Sequence, residues 1–139
     1  MSDMEKYGQR DLTYSWWHRK ASIERFLSDF EAWRLGMVDI DDVEYCRWCY
    51  EPLSLIELAQ DIGQSHKPAA VTENLAIKAE IPAYLCFYTV SRSDIAQFRV
   101  TSLTHGEFVD EIMTPAEYAQ FLSSFHDSHQ HHCPKQKRR

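Results

Sequence analysis

Apolar positions recur at helical spacing in three stretches of the chain and crowd into short apolar runs in four others. In residues 21–35, ASIERFLSDFEAWRL, the positions Ile23, Phe26, Leu27, Phe30 and Trp33 fall three or four apart, and Gly36 stands where a helix commonly stops. This spacing predicts a first helix, with the YSWW ahead of it, including Trp16 and Trp17, as an apolar lead-in. Residues 37–45 and 53–60 are dominated by β-branched and apolar residues, and the break between them holds Pro52 and a Cys-x-x-Cys. They predict two strands that pair antiparallel. Residues 68–81, PAAVTENLAIKAEI, predict a second helix with proline in its first turn and Pro82 limiting its far end. The nearly continuous apolar run PAYLCFYTV, 82–90, predicts a strand covered on both faces, and IAQFRVTSL, 95–103, a more exposed one. Thr114 as N-cap and Pro115 at the first helical position open a closing helix over 114–125, with Tyr118, Phe121, Leu122 and Phe125 on one stripe. The order is helix, strand, strand, helix, strand, strand, helix, which defines an α/β fold with a mixed central sheet flanked by helices.

Composition fits this picture to one domain. The chain has 139 residues, of which 44% are hydrophobic and 13% aromatic, enough to bury a core. The pattern assigns residues 1–20 to the lead-in, 21–125 to a single domain and 126–139, HDSHQHHCPKQKRR, to a loose His-rich and basic tail. No apolar run approaches the roughly 20 residues that span a bilayer, and MSDMEKYGQRDLTY lacks the charged-then-apolar pattern of a signal peptide. A cytoplasmic location is expected, with Cys46, Cys49, Cys86 and Cys133 reduced. The formal net charge is −6; PKQKRR contributes four positive charges, so residues 1–133 carry 11 basic against 21 acidic residues, or −10. That argues against a broad nucleic-acid groove and leaves room for a local basic patch.

The chemistry concentrates in VDIDDVEYCRWCYEPLSLIELAQD, residues 38–61. Two acids from adjacent strands at a sheet edge can chelate a hard divalent cation such as Mg²⁺, and Asp41 and Glu57 are candidates for that pair. Alternation along a strand places Asp39 and Asp41 on one face and Asp42 and Glu44 on the other. Which face meets Glu57 depends on the parity of the connection: a tight turn at Arg47 and Trp48 favours Asp42, and a longer excursion through the cysteines and Pro52 allows Asp41.

The element order, with DIDDVEY closing one strand and PLSLIELA forming the next, resembles the PD-(D/E)xK nuclease superfamily, of the shorter phage or mobile-element type, over roughly residues 21–103. The resemblance implies a restriction-endonuclease-like core, with Asp41 as the motif aspartate and Glu57 as the motif glutamate, both binding Mg²⁺ for cleavage of DNA. The superfamily's lysine, two residues after the glutamate, is Ala59 here. Some members move the lysine onto the following helix, which brings in Lys78. On that helix Val71, Asn74, Leu75, Lys78 and Ile81 form a stripe expected to cover the sheet. The blander alternative for Lys78 is a snorkelling side chain at the helix edge. Gln60 is a second substitute, though alternation points it away from the face of Glu57. Glu24 on the first helix is a candidate third carboxylate, against plain solvent exposure.

Cys46 and Cys49 have the spacing of a zinc knuckle, in which a tight turn aims two thiolates at one metal, against the alternatives of two unligated hairpin cysteines and of a redox pair, the last disfavoured because such motifs usually sit at a helix N-terminus after a strand and this one sits between strands. The other ligands of such a site are open among histidines, Cys86 and a second chain, although Cys86 lies in an apolar strand and fits a buried small hydrophobe better. His126, His129, His131, His132 and Cys133 read as solvated tail residues with weak metal affinity, and His18 and His66 as loop residues flanking the acids. Three functions therefore stay open: an Mg²⁺-dependent deoxyribonuclease using Asp41, Glu57 and Lys78, a degenerate module of the same fold that binds a protein partner or nucleic acid, and a zinc-linked homodimeric adaptor built on Cys46 and Cys49.

Overall fold

A computed structural model gives the structure of Gly36 and residues 38–135. The chain divides into two compact units, 1–39 and 40–139, so the boundary falls inside the single 21–125 domain expected from the sequence. The predicted helix over 21–35 with Glu24, and the lead-in with Trp16, Trp17 and His18, lie outside the described residues. The second unit is built from β1 (Asp42–Tyr45), β2 (Pro52–Gln60), α1 (Ala70–Ala79), β3 (Ala83–Ser91), β4 (Asp94–Ser102), β5 (Glu111–Met113) and α2 (Pro115–His129).

The five strands form one mixed sheet in the order β1-β2-β3-β4-β5. Neighbours are antiparallel except β2 and β3, which run parallel and are joined through α1. The expected antiparallel pairing of the first two strands is observed, and β5 adds a short edge strand that its three residues were too few to announce. The parallel pair explains the continuous apolar runs: α1 and α2 lie against opposite faces, so Leu53–Glu57 and Ala83–Phe87 are buried throughout. On one face Leu55, Ala76 and Ala83 pack with Ile40, Ile81 and Leu103. On the other, Ile56, Tyr84, Cys86, Val100, Met113 and Tyr118 pack with Phe98, Phe108, Phe121 and Phe125. Burying a side chain such as Ile56 or Phe87 contributes about 1.5–3 kcal/mol.

The helix α1 is rotated from its predicted orientation. Its buried residues are Thr72 and Ala76, while Val71, Leu75 and Ile77 are exposed and so is Lys78. The contacting face is thus made of short side chains and is less apolar than the stripe through Val71 and Leu75. Lys78 therefore does not sit in the helix–sheet interface, where the stripe placed it.

The helix α2 begins as expected. Thr114 Oγ1 accepts from the N–H of Glu117 at 3.1 Å, and Glu117 Oε1 accepts from the N–H of Thr114 at 3.0 Å, a reciprocal cap with Pro115 behind it. Thr114→Ala is expected to cost about 1 kcal/mol, read as a lowered urea midpoint with an unchanged slope. At its other end α2 runs on through His129, so residues 126–129, assigned from sequence to a loose tail, are helical. No helix among the described residues is long and apolar enough to cross a membrane.

Candidate functional site

Asp41 stands one residue ahead of β1. The β1–β2 ladder pairs Asp42 with Ile56, and one further step sets Asp41 opposite Glu57. The irregularity between Glu44 and Tyr45 decides this, because continuing the Tyr45–Pro52 pairing unshifted would set Asp41 opposite Ile56 instead. The choice between Asp41 and Asp42 thus turns on a bulge that the sequence does not display. Asp42 falls on the opposite face by alternation, its carboxyl pushed up by burial and by the charges of Asp41 and Glu44.

The two carboxylates meet at one ammonium. Lys67 Nζ donates to Asp41 Oδ2 at 2.6 Å, to Glu57 Oε2 at 3.2 Å and to the carbonyl of Leu58 at 2.7 Å, which uses all three of its donors. Asp41 Oδ2 also accepts the Leu58 N–H at 2.8 Å, and Glu57 Oε1 accepts the Thr72 hydroxyl at 2.6 Å. Glu57 is 5% exposed at its side chain, and burying a carboxyl that deep is costly without such hydrogen-bond partners. Lys67 lies in the β2–α1 connection just before Pro68, whose ring holds the preceding residue extended as α1 begins. Lys67, not Lys78, brings a cation to the acids. The available signal was its position between the strand of Glu57 and the start of the helix.

Burial opposes both charges, but the partners outweigh it. Hydrogen bonds from Lys67 and the Leu58 N–H hold Asp41 below the usual carboxylate range, and Asp41 and Glu57 hold Lys67 above its ordinary value. Asp41 thus contributes stability above its unfolded-state pKa that is lost as pH falls through the lower folded value. Lys67 contributes below its unfolded-state pKa and loses that contribution as pH rises through the higher folded value. Ala59, where the resemblance expects lysine, is paired with Phe87, whose ring carries the Arg99 guanidinium 4.4 Å from its centroid. Arg99 is held by Asp61 through two bonds of 3.0 and 3.1 Å, by Asp110 at 2.8 Å and by the Gln64 carbonyl at 2.7 Å, which ties down the loop that carries Lys67. Gln60 and His66 are exposed.

A second constellation lies at the other end of β1. Cys46, Cys49, His129 and Cys133 bring one ligand atom each to within 4.8 Å of one another, a group that could hold a metal ion. Cys46 Sγ is 3.7 Å from Cys133 Sγ, and Cys49 Sγ is 3.3 Å from His129 Nε2. The turn is fixed by the Cys46 N–H donating to the Glu51 carbonyl at 2.9 Å and the Tyr50 N–H donating to the Cys46 carbonyl at 2.7 Å, with Tyr50 left-handed at φ 65°. Burial works against ionisation of Cys46, but the N–H groups of Cys49 and Trp48 and the neighbouring thiols bring its pKa down to about 6. Cys49 is pushed up: the Glu51 N–H favours its thiolate, but burial and the thiols of Cys46 and Cys133 outweigh it. Crowded thiols cannot all ionise without a cation, and a bound one removes that conflict.

His129 closes α2 and Cys133 follows four residues later, so the two residues assigned from sequence to a solvated tail complete the cysteine pair within one chain. His126 is not in the group; its Nε2 lies 2.6 Å from Glu44 Oε1. Cys86 is fully buried in the α2-facing core, as its apolar strand implied. Compared with known protein families, with curated proteins and with solved structures, the chain matches none of them.

Proposed function

We propose that the protein is a nuclease-like enzyme that hydrolyses DNA phosphodiesters with a divalent cation at Asp41 and Glu57. The observation that carries this reading is the convergence of Asp41, Glu57 and Lys67 at one point, with Oδ2 and Oε2 both within 3.2 Å of the same nitrogen. The donors are hard oxygens, which suit Mg²⁺ or Mn²⁺. When bound, the cation supplies Lewis-acid stabilisation and a more acidic water. The chain's own residues do the rest: Asp41 and Glu57 offer oxygens, Thr72 fixes the rotamer of Glu57, and Lys67 offers positive charge toward the phosphoryl oxygens, the service expected of the lysine absent at Ala59. Water adds to phosphorus, one P–O ester bond breaks, and a phosphate monoester and a hydroxyl result.

A plasmid-nicking assay tests this. Cleavage should require Mg²⁺ or Mn²⁺ and vanish in Asp41→Asn and Glu57→Gln. Metal-loaded protein that leaves plasmid intact would favour the second reading, a non-catalytic module binding a protein partner or nucleic acid. The saturation of the Lys67 ammonium by the acids and by Leu58 speaks for that reading.

Independently of the acids, we propose zinc for the cysteine–histidine group. Tetrahedral zinc with Zn–S of about 2.3 Å and Zn–N of about 2.0 Å requires S···S edges of about 3.8 Å and S···N edges of about 3.5 Å. The observed 3.7 and 3.3 Å match these edges, and three thiolates with an imidazole are a structural donor set with no open position. Elemental analysis should find one zinc per chain; two chains sharing one zinc would restore the homodimeric adaptor.

A further inference from the structure

The turn that carries the first two thiols reads Tyr-Cys-Arg-Trp-Cys-Tyr, residues 45–50. It buries Cys46 and turns its rings outward: Tyr45 is 45% exposed, Trp48 60% and Tyr50 72%. Tyr45 and Tyr50 lie nearly parallel, centroids 6.3 Å apart and planes 21° from each other. Large aromatic side chains gathered on an exposed turn mark an interaction surface more often than chance. Two basic residues, Arg47 and Lys135, stand in the turn or within two residues of its partner Cys133. Arg47, between Tyr45 and Trp48 in the sequence, is exposed. Cys133 lies against Cys46, and Lys135 follows two residues later. The acids flanking the turn, Glu44 and Glu51, face His126 at 2.6 Å and His129 at 3.9 Å.

The geometry points to a stacking site for single-stranded nucleic acid on this turn, with Trp48 and Tyr50 taking base faces and Arg47 and Lys135 meeting backbone phosphates. Rings with accessible faces beside a local basic patch are the combination that holds single strands without reading their sequence. The inference rests on the zinc reading for the shape of the turn, and the nuclease reading gives its position a purpose. The edge strand β1 leads from Asp41 to Tyr45, about 13 Å at roughly 3.3 Å per residue, so a strand held at the turn can run along the sheet edge toward the acids.

Fluorescence anisotropy of the full chain, zinc-loaded and without Mg²⁺, tests the site with labelled oligothymidylate, oligouridylate and a DNA duplex at low salt. Single strands should bind more tightly than duplex, and the first two probes separate DNA from RNA as the source of the bases. Trp48→Ala and Tyr50→Ala should each weaken binding roughly five- to hundredfold, with zinc content unchanged. Trp48→Phe, which keeps a ring, should retain most of the affinity and serves if the alanine variant fails to fold. No binding of single strands, or ring-less variants that hold zinc and bind as tightly as the parent, would overturn the site and leave the rings to a protein partner. Binding without cleavage keeps this site and removes the nuclease; cleavage with binding indifferent to Trp48 and Tyr50 does the reverse.

Discussion

On the zinc reading, stripping zinc from Cys46, Cys49, His129 and Cys133 is expected to lower the melting temperature by roughly 15–30 °C. A metal held by the group would tie the β1–β2 turn to the end of α2, two places that no covalent link joins among the described residues. A site filled at a thousand times its dissociation constant adds about 4 kcal/mol, and a domain of this size loses about 4–8 °C per kcal/mol. The aromatic packing of α2 does not depend on the metal. Phe98 stacks on Tyr118 with centroids 3.8 Å apart, and Phe121 and Phe125 surround Tyr84. The stripped protein should therefore keep its sheet and fray from the far end of α2, seen as fast hydrogen exchange over residues 126–133 with slow exchange in β3. Cys46→Ser and Cys133→Ser should reproduce the loss and release zinc. Cys86→Ser should keep zinc, because Cys86 is buried outside the group. An unchanged melting temperature after exhaustive chelation would show that the cluster holds no structural metal.

The legible parts of the sequence were those where one period dominates. The continuous apolar run of β3 announced a strand covered on both faces, and Thr114-Pro115 with the Tyr118–Phe125 stripe announced α2. What stayed hidden depends on close approach or on distance along the chain. The contact face of α1 consists of Thr72 and Ala76, which carry little hydropathy, so the more apolar stripe through Val71 and Leu75 drew Lys78 into an interface it does not enter. The pairing of Asp41 with Glu57 turns on a bulge at Glu44 and Tyr45, invisible to alternation. Half of the metal group was legible as Cys-x-x-Cys. The other half was His129 and Cys133, about eighty residues away in a segment with no packing pattern, which α2, packed against β5, β4 and β2, brings back to the turn.

On the nuclease reading proposed above, replacing Lys67 by methionine should reduce Mg²⁺-dependent cleavage by roughly a hundred- to a thousandfold, the usual cost of removing one preorganised charge at a reacting phosphoryl or oxyanion. Binding of the cation should move the other way. Lys67 occupies the oxygens that a divalent ion would use, at 2.6 Å from Asp41 and 3.2 Å from Glu57, so without it calorimetry should find Mg²⁺ or Mn²⁺ bound more tightly. In the absence of a divalent ion the two carboxylates repel across a partly buried gap. Stability should then fall by about 1–2 kcal/mol, less than the 3–5 kcal/mol of a fully buried pair because Lys67 and Asp41 are 28% and 39% exposed. Added Mg²⁺ should restore it. The pH response fixes the sign of the interaction. The parent should lose stability as pH falls through the lowered Asp41 pKa, and Lys67→Met should lose less over the same interval, because the partner that depressed that pKa is gone. Lys78→Ala, by contrast, changes an exposed helix position and should leave cleavage, cation affinity and stability within about 0.5 kcal/mol of the parent. A Lys67→Met protein that cuts as fast as the parent would reduce the lysine to a structural counter-ion of Asp41 and Glu57.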